Sequence, residues 1–157
     1  MTIVSLTATL KPTTAGKAMV TQAMFLKGSH FVGAAVLLRQ HNGNPHVILH
    51  LLCQGMEILQ KSLLLSENYD VYHPKLRRFG HDLAKGADEL SKVYKFRRTS
   101  GNLKTELDQL NTFYTKHLLR YASIADVLID PVSLRYELVL RRCAALIKFG
   151  SKKLNVP

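Results

Sequence analysis

Apolar residues recur along much of the chain at three- and four-residue steps, the spacing that places them on one face of an α-helix. The first such stretch begins at Lys17 and ends at the strong turn signal Asn42-Gly43-Asn44-Pro45, whose proline suits the first turn of a following helix. The pattern predicts one apolar face of a long first helix. The stripe comprises Met19, Ala23, Leu26, His30, Phe31, Ala34, Ala35 and Leu38.

The second predicted helix is apolar around nearly its whole circumference. Ile48, Leu49 and Leu52 lie almost adjacent to the residues of its main stripe. A helix without a broad polar face is typical of the centre of a bundle, and we expect this helix to be central. The main stripe comprises Val47, Leu51, Met56, Leu59, Leu63 and Leu64.

Three further helical stretches follow, separated by short breaks. The polar and aromatic segment from Ser66 to Pro74 predicts a connection between helices. Thr99 to Asn102 and Asp130-Pro131 predict the later breaks, and Gly150 predicts the end of the last helix. The three stretches run from Leu76 to Tyr94, from Leu103 to Leu118 and from Leu134 to Ile147.

These stretches predict an all-α protein, a single antiparallel bundle of about five helices joined by short loops. Residues 1–14 are rich in Thr and β-branched residues, and their only Lys follows the apolar residues. This order favours a loose N-terminal arm over a secretory signal. The bundle domain is then expected at 15–150, followed by a basic tail at 151–157.

The composition is that of an ordinary globular protein. The chain has 157 residues, of which 46% are hydrophobic and 21% charged, and this favours one domain with its own core. Two cysteines do not make a disulfide framework, so we expect a reduced, cytoplasmic protein. No stretch approaches about 18 uncharged apolar residues, and we therefore expect no membrane-spanning helix and no membrane partner.

Motifs for metal, cofactor or nucleophile chemistry are weak. His46, His50 and Cys53 share one helical stripe at i, i+4 and i+7, and imidazole and thiolate both suit zinc. The general-base Glu of an H-E-x-x-H motif is missing, because Val47 follows His46. Neither a nucleophile elbow nor a glycine-rich phosphate loop occurs, so we predict no metal and no cofactor.

The charge balance changes this picture most. Lys and Arg number 22 against 11 Asp and Glu, a net charge of +11, which favours polyanionic partners. Clustered cations could neutralise the phosphates of nucleic acid, or they could form a solvated face. The clusters contain Lys75, Arg77, Arg78, Lys85, Lys92, Lys95, Arg97, Arg98, Arg135, Arg141, Arg142, Lys148, Lys152 and Lys153.

Three short motifs occur in an order that goes beyond a generic bundle. The first is Gly55-Met56-Glu57-Ile58-Leu59-Gln60-Lys61-Ser62-Leu63-Leu64, the second is Gly80-His81-Asp82-Leu83, and the third is Leu110-Asn111, Tyr114 and Leu119-Arg120-Tyr121. This region, from about residue 50 to 122, resembles the HEPN family, the nucleotide-binding domains of higher eukaryotes and prokaryotes. The resemblance implies a small helical bundle that commonly dimerises, and that cleaves RNA or binds nucleotides or nucleic acid.

The catalytic motif of that family's nucleases is not matched here. The nucleases carry an R-x(4–6)-H motif late in the bundle, and Arg120 has no His after it. Arg39 and His46 have the formal spacing but span the predicted turn, and Arg77 and His81 are too close together. The resemblance therefore implies a catalytically silent domain. The alternative is a metal-independent ribonuclease that uses His81 with Arg77 or Arg78.

The matched region and the basic clusters together give the candidate ligand-binding residues. Glu57 and Lys61 stand at i, i+4 and could form an ion pair. His81-Asp82 could orient an imidazole or offer a phosphate a donor, and Arg120-Tyr121 could pair an anion contact with a stacking platform or simply end a helix. The candidates are Lys61, Lys75, Arg77, Arg78, His81, Asp82, Arg120, Tyr121, Arg141 and Arg142.

A polyanion, RNA or a nucleotide, is the expected ligand. Phosphate contacts carry no sequence information, so we expect weak sequence selectivity. The resemblance also implies a partner protein such as a nucleotidyltransferase-like protein, and a bundle whose basic face meets an acidic protein is a third hypothesis. Broad apolar faces on several helices, together with the resemblance, predict a homodimer.

Overall fold

The structure is a computed structural model, and it describes residues 12–120, 130 and 133–156. Within these residues the chain is mostly helical and contains no strand, which confirms the all-α prediction. Residues 1–11 of the predicted arm, Tyr121 and the predicted break at Pro131 lie outside the described residues. The helices are α1 (Thr14–Gln40), α2 (Pro45–Glu67), α3 (Tyr69–Tyr72), α4 (Leu76–Phe79), α5 (Leu83–Tyr94), α6 (Gly101–Thr115) and α7 (Glu137–Leu154), with a 3-10 turn at His73–Lys75.

α1 and α2 form a helical hairpin around the predicted turn. The hydroxyl of Thr13 accepts a hydrogen bond from the amide of Gly16 at 3.1 Å and so caps α1. The side-chain oxygen of Asn44 accepts the amide of His46 at 2.9 Å, and Pro45 occupies the first turn of α2. Both helix starts therefore follow from short-range sequence signals.

The two helices of this hairpin approach each other closely at two glycines. A Cβ on Gly55 of α2 would lie 2.7 Å from Val32 Cγ2 and 2.9 Å from the Val32 amide nitrogen. A Cβ on Gly28 of α1 would lie 2.9 Å from the amide nitrogen of Leu59. Because these neighbours include backbone atoms that cannot rotate away, the crossing requires glycine on both helices.

The face of α1 that packs against α2 is not the apolar stripe expected from the sequence. Of that stripe only Ala35 is buried, whereas Met19 is 68% exposed and Ala23 and His30 are exposed as well. α1 is apolar on more than one face, and the close approach at Gly28 decides which of them meets α2. The buried residues of α1 are Thr21, Phe25, Gly28, Val32 and Ala35.

α2 is the central helix, as predicted, since it contacts α1, α3, α5, α6 and α7. By length and composition α2 could also cross a membrane, with a mean hydropathy of 1.2, but 67% of that window is buried inside the protein. Composition alone therefore does not exclude a membrane-spanning helix, and our expectation that the chain has none is not supported. Burial is what places α2 in the core. Its core includes Leu49, Leu52, Met56, Leu59 and Leu63, each at most 1% exposed.

The third predicted helix is wrong as a single element. Gly80 has a φ of +54°, which ends α4 in a conformation that only glycine adopts easily. Asp82 then caps a new helix, α5, because its carboxylate accepts the amide of Lys85 at 3.0 Å. The break places His81 in a short connection between two helices instead of on a helical face.

The predicted end of the last helix at Gly150 is also wrong. α7 begins at Glu137 and continues to Leu154, so part of the predicted basic tail is helical. Gly150 lies inside the helix because the ring of Phe25 packs against it, and a Cβ there would lie 2.1 Å from Phe25 Cε2. The glycine allows close packing of α7 on α1 and does not end the helix.

Replacing Gly55 by alanine should destabilise the protein by about 1–3 kcal/mol, because the added methyl group must displace the backbone of α1. Gly33 of α1 is the matched control, since a Cβ there meets nothing within 4 Å. Gly33→Ala should stabilise the protein by about 0.5–1 kcal/mol through helix propensity. Urea unfolding measures both, and the same effect for both variants would contradict the close approach.

Candidate functional site

A buried carboxylate in the middle of α2, that of Glu57, is the centre of a polar cluster. Only 7% of Glu57 is exposed, and one turn later Lys61 donates a hydrogen bond to its Oε1 at 2.6 Å. The Lys61 ammonium also donates to the carbonyl oxygen of Gly80 at 2.8 Å. The i, i+4 ion pair therefore exists, and it ties α2 to the connection between α4 and α5.

Two more side chains reach the other oxygen of Glu57. The hydroxyl of Tyr114 on α6 donates to Glu57 Oε2 at 2.5 Å and lies 3.0 Å from Gln54 Oε1. Nδ1 of His81 lies 3.0 Å from the same Oε2. Because an ionised carboxylate can only accept hydrogen bonds, Nδ1 of His81 carries a proton and donates it.

The charge state of Glu57 follows from these partners. Burial opposes its ionisation, but the hydrogen bonds from Lys61, Tyr114 and His81 outweigh burial and hold the pKa of Glu57 below its ordinary value. Burial, and then the Glu57 carboxylate, raise the pKa of Tyr114, so its hydroxyl keeps its proton and remains a donor. At neutral pH the cluster is thus a carboxylate surrounded by three donors.

His81 extends from this cluster toward solvent. Its side chain is 40% exposed, and its ring packs edge-on against Tyr114, with centroids 5.7 Å apart, and against His117, with centroids 5.3 Å apart. Since Glu57 holds Nδ1, Nε2 is the ring nitrogen that can meet a ligand. Two imidazoles therefore lie side by side at this surface, and one of them has a fixed orientation.

Asp82 shapes the site through its hydrogen bonds. Its Oδ1 accepts the amide of Lys85 and, at 3.1 Å, the side-chain amide of Asn111 on α6. The side-chain oxygen of Asn111 in turn accepts the amide of Leu83 at 2.7 Å. The structure therefore gives Asp82, a candidate ligand residue by sequence, the role of a helix cap, and it fixes the chain immediately after His81.

Cations precede this half-exposed imidazole in the chain. Lys75, Arg77 and Arg78 occupy exposed positions shortly before His81, and within the described residues neither arginine forms an ion pair. Lys61, in contrast, is held by Glu57 and is largely withdrawn from solvent, with 19% of its side chain exposed. Three of the candidate cations are thus exposed shortly before His81 in the chain, with the Lys75 ammonium over the ring of Tyr72, and Lys61 neutralises the buried carboxylate.

Two other candidate cations lie elsewhere in the fold. Arg141 is exposed and Arg142 is half-buried on α7, where the Arg142 guanidinium lies 5.3 Å from the centre of the Phe96 ring. Phe96 follows the C-terminal end of α5, whereas His81 precedes its N-terminal end. The structure therefore does not bring Arg142 and His81 together.

Arg120 and three residues that the sequence patterns did not identify belong to α6 and the turn after it. Arg120 is exposed. The pKa of His50 is lowered, first by burial and then by the positive charge of Arg120. Tyr121 lies outside the described residues. Asn111, Tyr114 and His117 were not predicted as site residues. They are spaced three residues apart, which places them on one side of a helix, and this spacing is the sequence signal that points to them.

The thiol and imidazole groups of the weak zinc pattern are not gathered into a metal site. Across residues 12–120, 130 and 133–156, no group of three His, Cys, Asp or Glu side chains is placed to hold a metal ion. Cys53 is fully buried, and burial raises its pKa. Burial also raises the pKa of Cys143 to about 12, so both free thiols are protonated core groups.

No protein-family model, curated protein or solved structure gives a significant match to this chain. The observations that bear on function are therefore the cluster around Glu57, the orientation it imposes on His81, and the exposed cations of α4. All three lie on or next to the connection between α4 and α5.

Replacing Glu57 by glutamine should remove a stabilising contribution that depends on pH. The pKa of Glu57 is lowered from its ordinary value of 4.5, so its ionised form stabilises the fold above that pH and the contribution is lost as pH falls through the folded-state pKa. The difference in unfolding free energy between wild type and Glu57→Gln should therefore be largest at neutral pH and shrink in acid.

Asp108→Asn is the matched control for this measurement, because Asp108 forms an exposed ion pair with Lys104 on α6. Exposed pairs contribute about 0–1 kcal/mol, so the control should differ little from wild type at any pH. Urea unfolding from neutral to acid pH measures all three proteins. A Glu57→Gln difference that stays constant across this range would contradict the account of the cluster.

Proposed function

We propose that the protein is a catalytically silent, HEPN-like helical domain that binds a polyanion, RNA or a nucleotide. The observation that carries this proposal is the half-exposed imidazole of His81, oriented by Glu57 and preceded in the chain by the exposed cations Arg77 and Arg78, which form no ion pair with another described residue. With Nδ1 bonded to Glu57, Nε2 of a neutral His81 accepts a hydrogen bond, such as one from a ribose hydroxyl, and it donates to a phosphate oxygen when the ring is protonated; the guanidinium groups of Arg77 and Arg78 suit the phosphate oxygens directly.

Convergence of the three sequence motifs on one carboxylate supports the HEPN-like part of the proposal. Glu57 and Lys61 come from the first motif, His81 from the second and Tyr114 from the third, and each of the last three donates to Glu57. Motifs that matched by chance on unrelated helix faces would not be expected to meet in this way.

Catalytic silence is supported by the state of the acid–base groups. Glu57 is buried and held by three donors, so it is a poor general base and serves to orient His81. Arg77 and Arg78 precede His81 by too few residues to match the R-x(4–6)-H motif. We therefore assign His81 a binding role.

A metal-independent ribonuclease is the second candidate function, and one observation favours it. His81 and His117 lie with ring centroids 5.3 Å apart, and two imidazoles at this separation could act as general base and general acid. Incubation with mixed single-stranded RNA and a chelator separates the two functions. We expect no cleavage; cleavage that is lost in His81→Ala but kept in His41→Ala, an exposed site at the end of α1, would establish the ribonuclease.

The proposal includes a cytoplasmic homodimer that works with a partner such as a nucleotidyltransferase-like protein. Support for self-association comes from the outer face of α1, where a groove of about 570 Å³ is lined mainly by apolar side chains such as Leu26 and Phe31. Met19 and Leu37 are 68% and 57% exposed on the same helix. Sedimentation tests this part: a single species of 17.7 kDa at high concentration would refute the dimer.

Neutralising Lys75, Arg77 and Arg78 together should weaken RNA binding to all sequences alike. Because the salt dependence of affinity grows with the number of phosphates that the protein neutralises, the slope of log affinity against log salt should fall by about three phosphate contacts. Fluorescence anisotropy with a labelled single-stranded RNA, measured between about 50 and 200 mM salt, gives this slope.

The matched control for that variant replaces Lys27, Lys104 and Arg135, which are also exposed, so that both triple variants carry the same net charge. The control should bind with a salt slope closer to that of wild type. Equal weakening in both variants would show that only net charge matters and would refute the site at His81. Capture of a partner that resists nuclease treatment would instead favour the acidic-protein hypothesis.

A further inference from the structure

A groove lies at the end of α5 that is remote from His81. It has a volume of about 660 Å³ and is formed by the C-terminal parts of α2, α5 and α7. α5 has 12 residues and is therefore about 18 Å long, so the groove and His81 are separated by a helix length. The groove is lined by Glu67, Tyr94, Lys95, Phe149, Lys152 and Lys153, together with Val93.

Two aromatic rings line the groove, and a third packs against both of them. The rings of Tyr94 and Phe149 meet edge to face with centroids 5.0 Å apart. Phe96 stacks on Tyr94 at 5.4 Å and meets Phe149 edge-on at 4.9 Å. The Tyr94 hydroxyl donates to the carbonyl oxygen of Leu63 at 2.6 Å, which fixes its ring. The three rings thus form a preorganised platform in a half-buried position.

Positive charge surrounds this platform. Lys95 and Lys152 are exposed, and within the described residues neither forms an ion pair. Lys153 lies 5.0 Å from the centre of the Tyr94 ring and pairs with Glu67 at 3.1 Å, which neutralises the acid among the described lining residues. The groove therefore combines apolar ring surface with an excess of two cations.

We propose that this groove binds single-stranded nucleic acid, with an unpaired base against the ring of Phe149 and the adjacent phosphates on Lys95 and Lys152. Stacking of bases on aromatic side chains between cationic side chains is how sequence-tolerant single-strand binders work. The volume suits one or two bases, since small-ligand sites occupy about 300–1,000 Å³. An acidic peptide would use the cations but gain little from the rings, so the aromatic platform favours nucleic acid.

The test uses the absence of tryptophan from the chain, because Phe149→Trp then introduces a single fluorescent reporter in the groove. Adding a decamer of uridylate or thymidylate at low salt should quench this tryptophan through stacking, and a duplex of equal length should quench it much less. An unquenched tryptophan under conditions where anisotropy shows the decamer bound would overturn the proposal.

Removal of the ring provides a second readout. Phe149→Leu should lower affinity for the decamer by about 5- to 150-fold, the effect of removing the stacking of one base. The control is Phe113→Leu, which removes a half-buried ring on α6 outside the groove and should leave affinity unchanged. Equal affinity of Phe149→Leu and wild type, or equal weakening in both variants, would refute the groove as the binding site.

A charge variant covers the case in which the ring variants do not fold. Lys95→Ala with Lys152→Ala should reduce the salt slope by about two phosphate contacts, whereas Lys104→Ala with Lys27→Ala should not. An unchanged slope in the variant without both groove lysines would overturn the proposal. Failure of this inference is distinguishable from failure of the site at His81, because a protein without Lys75, Arg77 and Arg78 should still show quenching when it carries Phe149→Trp.

Discussion

The carboxylate of Glu57, buried in the central helix, is the group on which the arrangement of the surrounding elements depends. An unpaired buried charge costs about 3–5 kcal/mol, a large share of the roughly 5–15 kcal/mol that stabilises a domain. Three elements supply the compensation: α2 through Lys61, the α4–α5 connection through His81, and α6 through Tyr114. The same bonds that neutralise the charge set the orientation of His81, the most exposed of these donors.

Stability and the proposed binding of an anion therefore depend on the same cluster. The connection that presents His81 is held by polar anchors on both sides. Lys61 binds the carbonyl oxygen of Gly80 before it, and Asn111 binds Asp82 after it. An imidazole positioned in this way needs little reorganisation to meet an anion, which is the physical advantage of building a binding site on a buried network.

The sequence predicts the helical class and the central position of α2 well, because long periodic stretches with caps are local signals. The sequence does not predict which apolar face of a helix is buried, or whether a glycine ends a helix or packs inside it, because tertiary packing decides both. α1 carries more than one apolar face, and the close approach at Gly28 selects the one that packs. Gly150 is a helix-ending residue by sequence, yet the ring of Phe25 makes it a packing position. Within the candidate site, Glu57, Lys61 and His81 were named from the motifs, while the role of Tyr114 required the fold, since it lies 57 residues from Glu57.

Nitrogen NMR of His81 tests the central claim, that Glu57 orients this imidazole for ligand binding, most directly. Spectra recorded at about pH 8, where an ordinary imidazole is neutral, distinguish the two tautomers. The account predicts the proton on Nδ1 in wild type, a shift of the Nε2 resonance when a single-stranded RNA is added, and loss of the Nδ1 preference in Glu57→Gln. A proton on Nε2 in wild type, or an Nε2 resonance that RNA does not move, would contradict it.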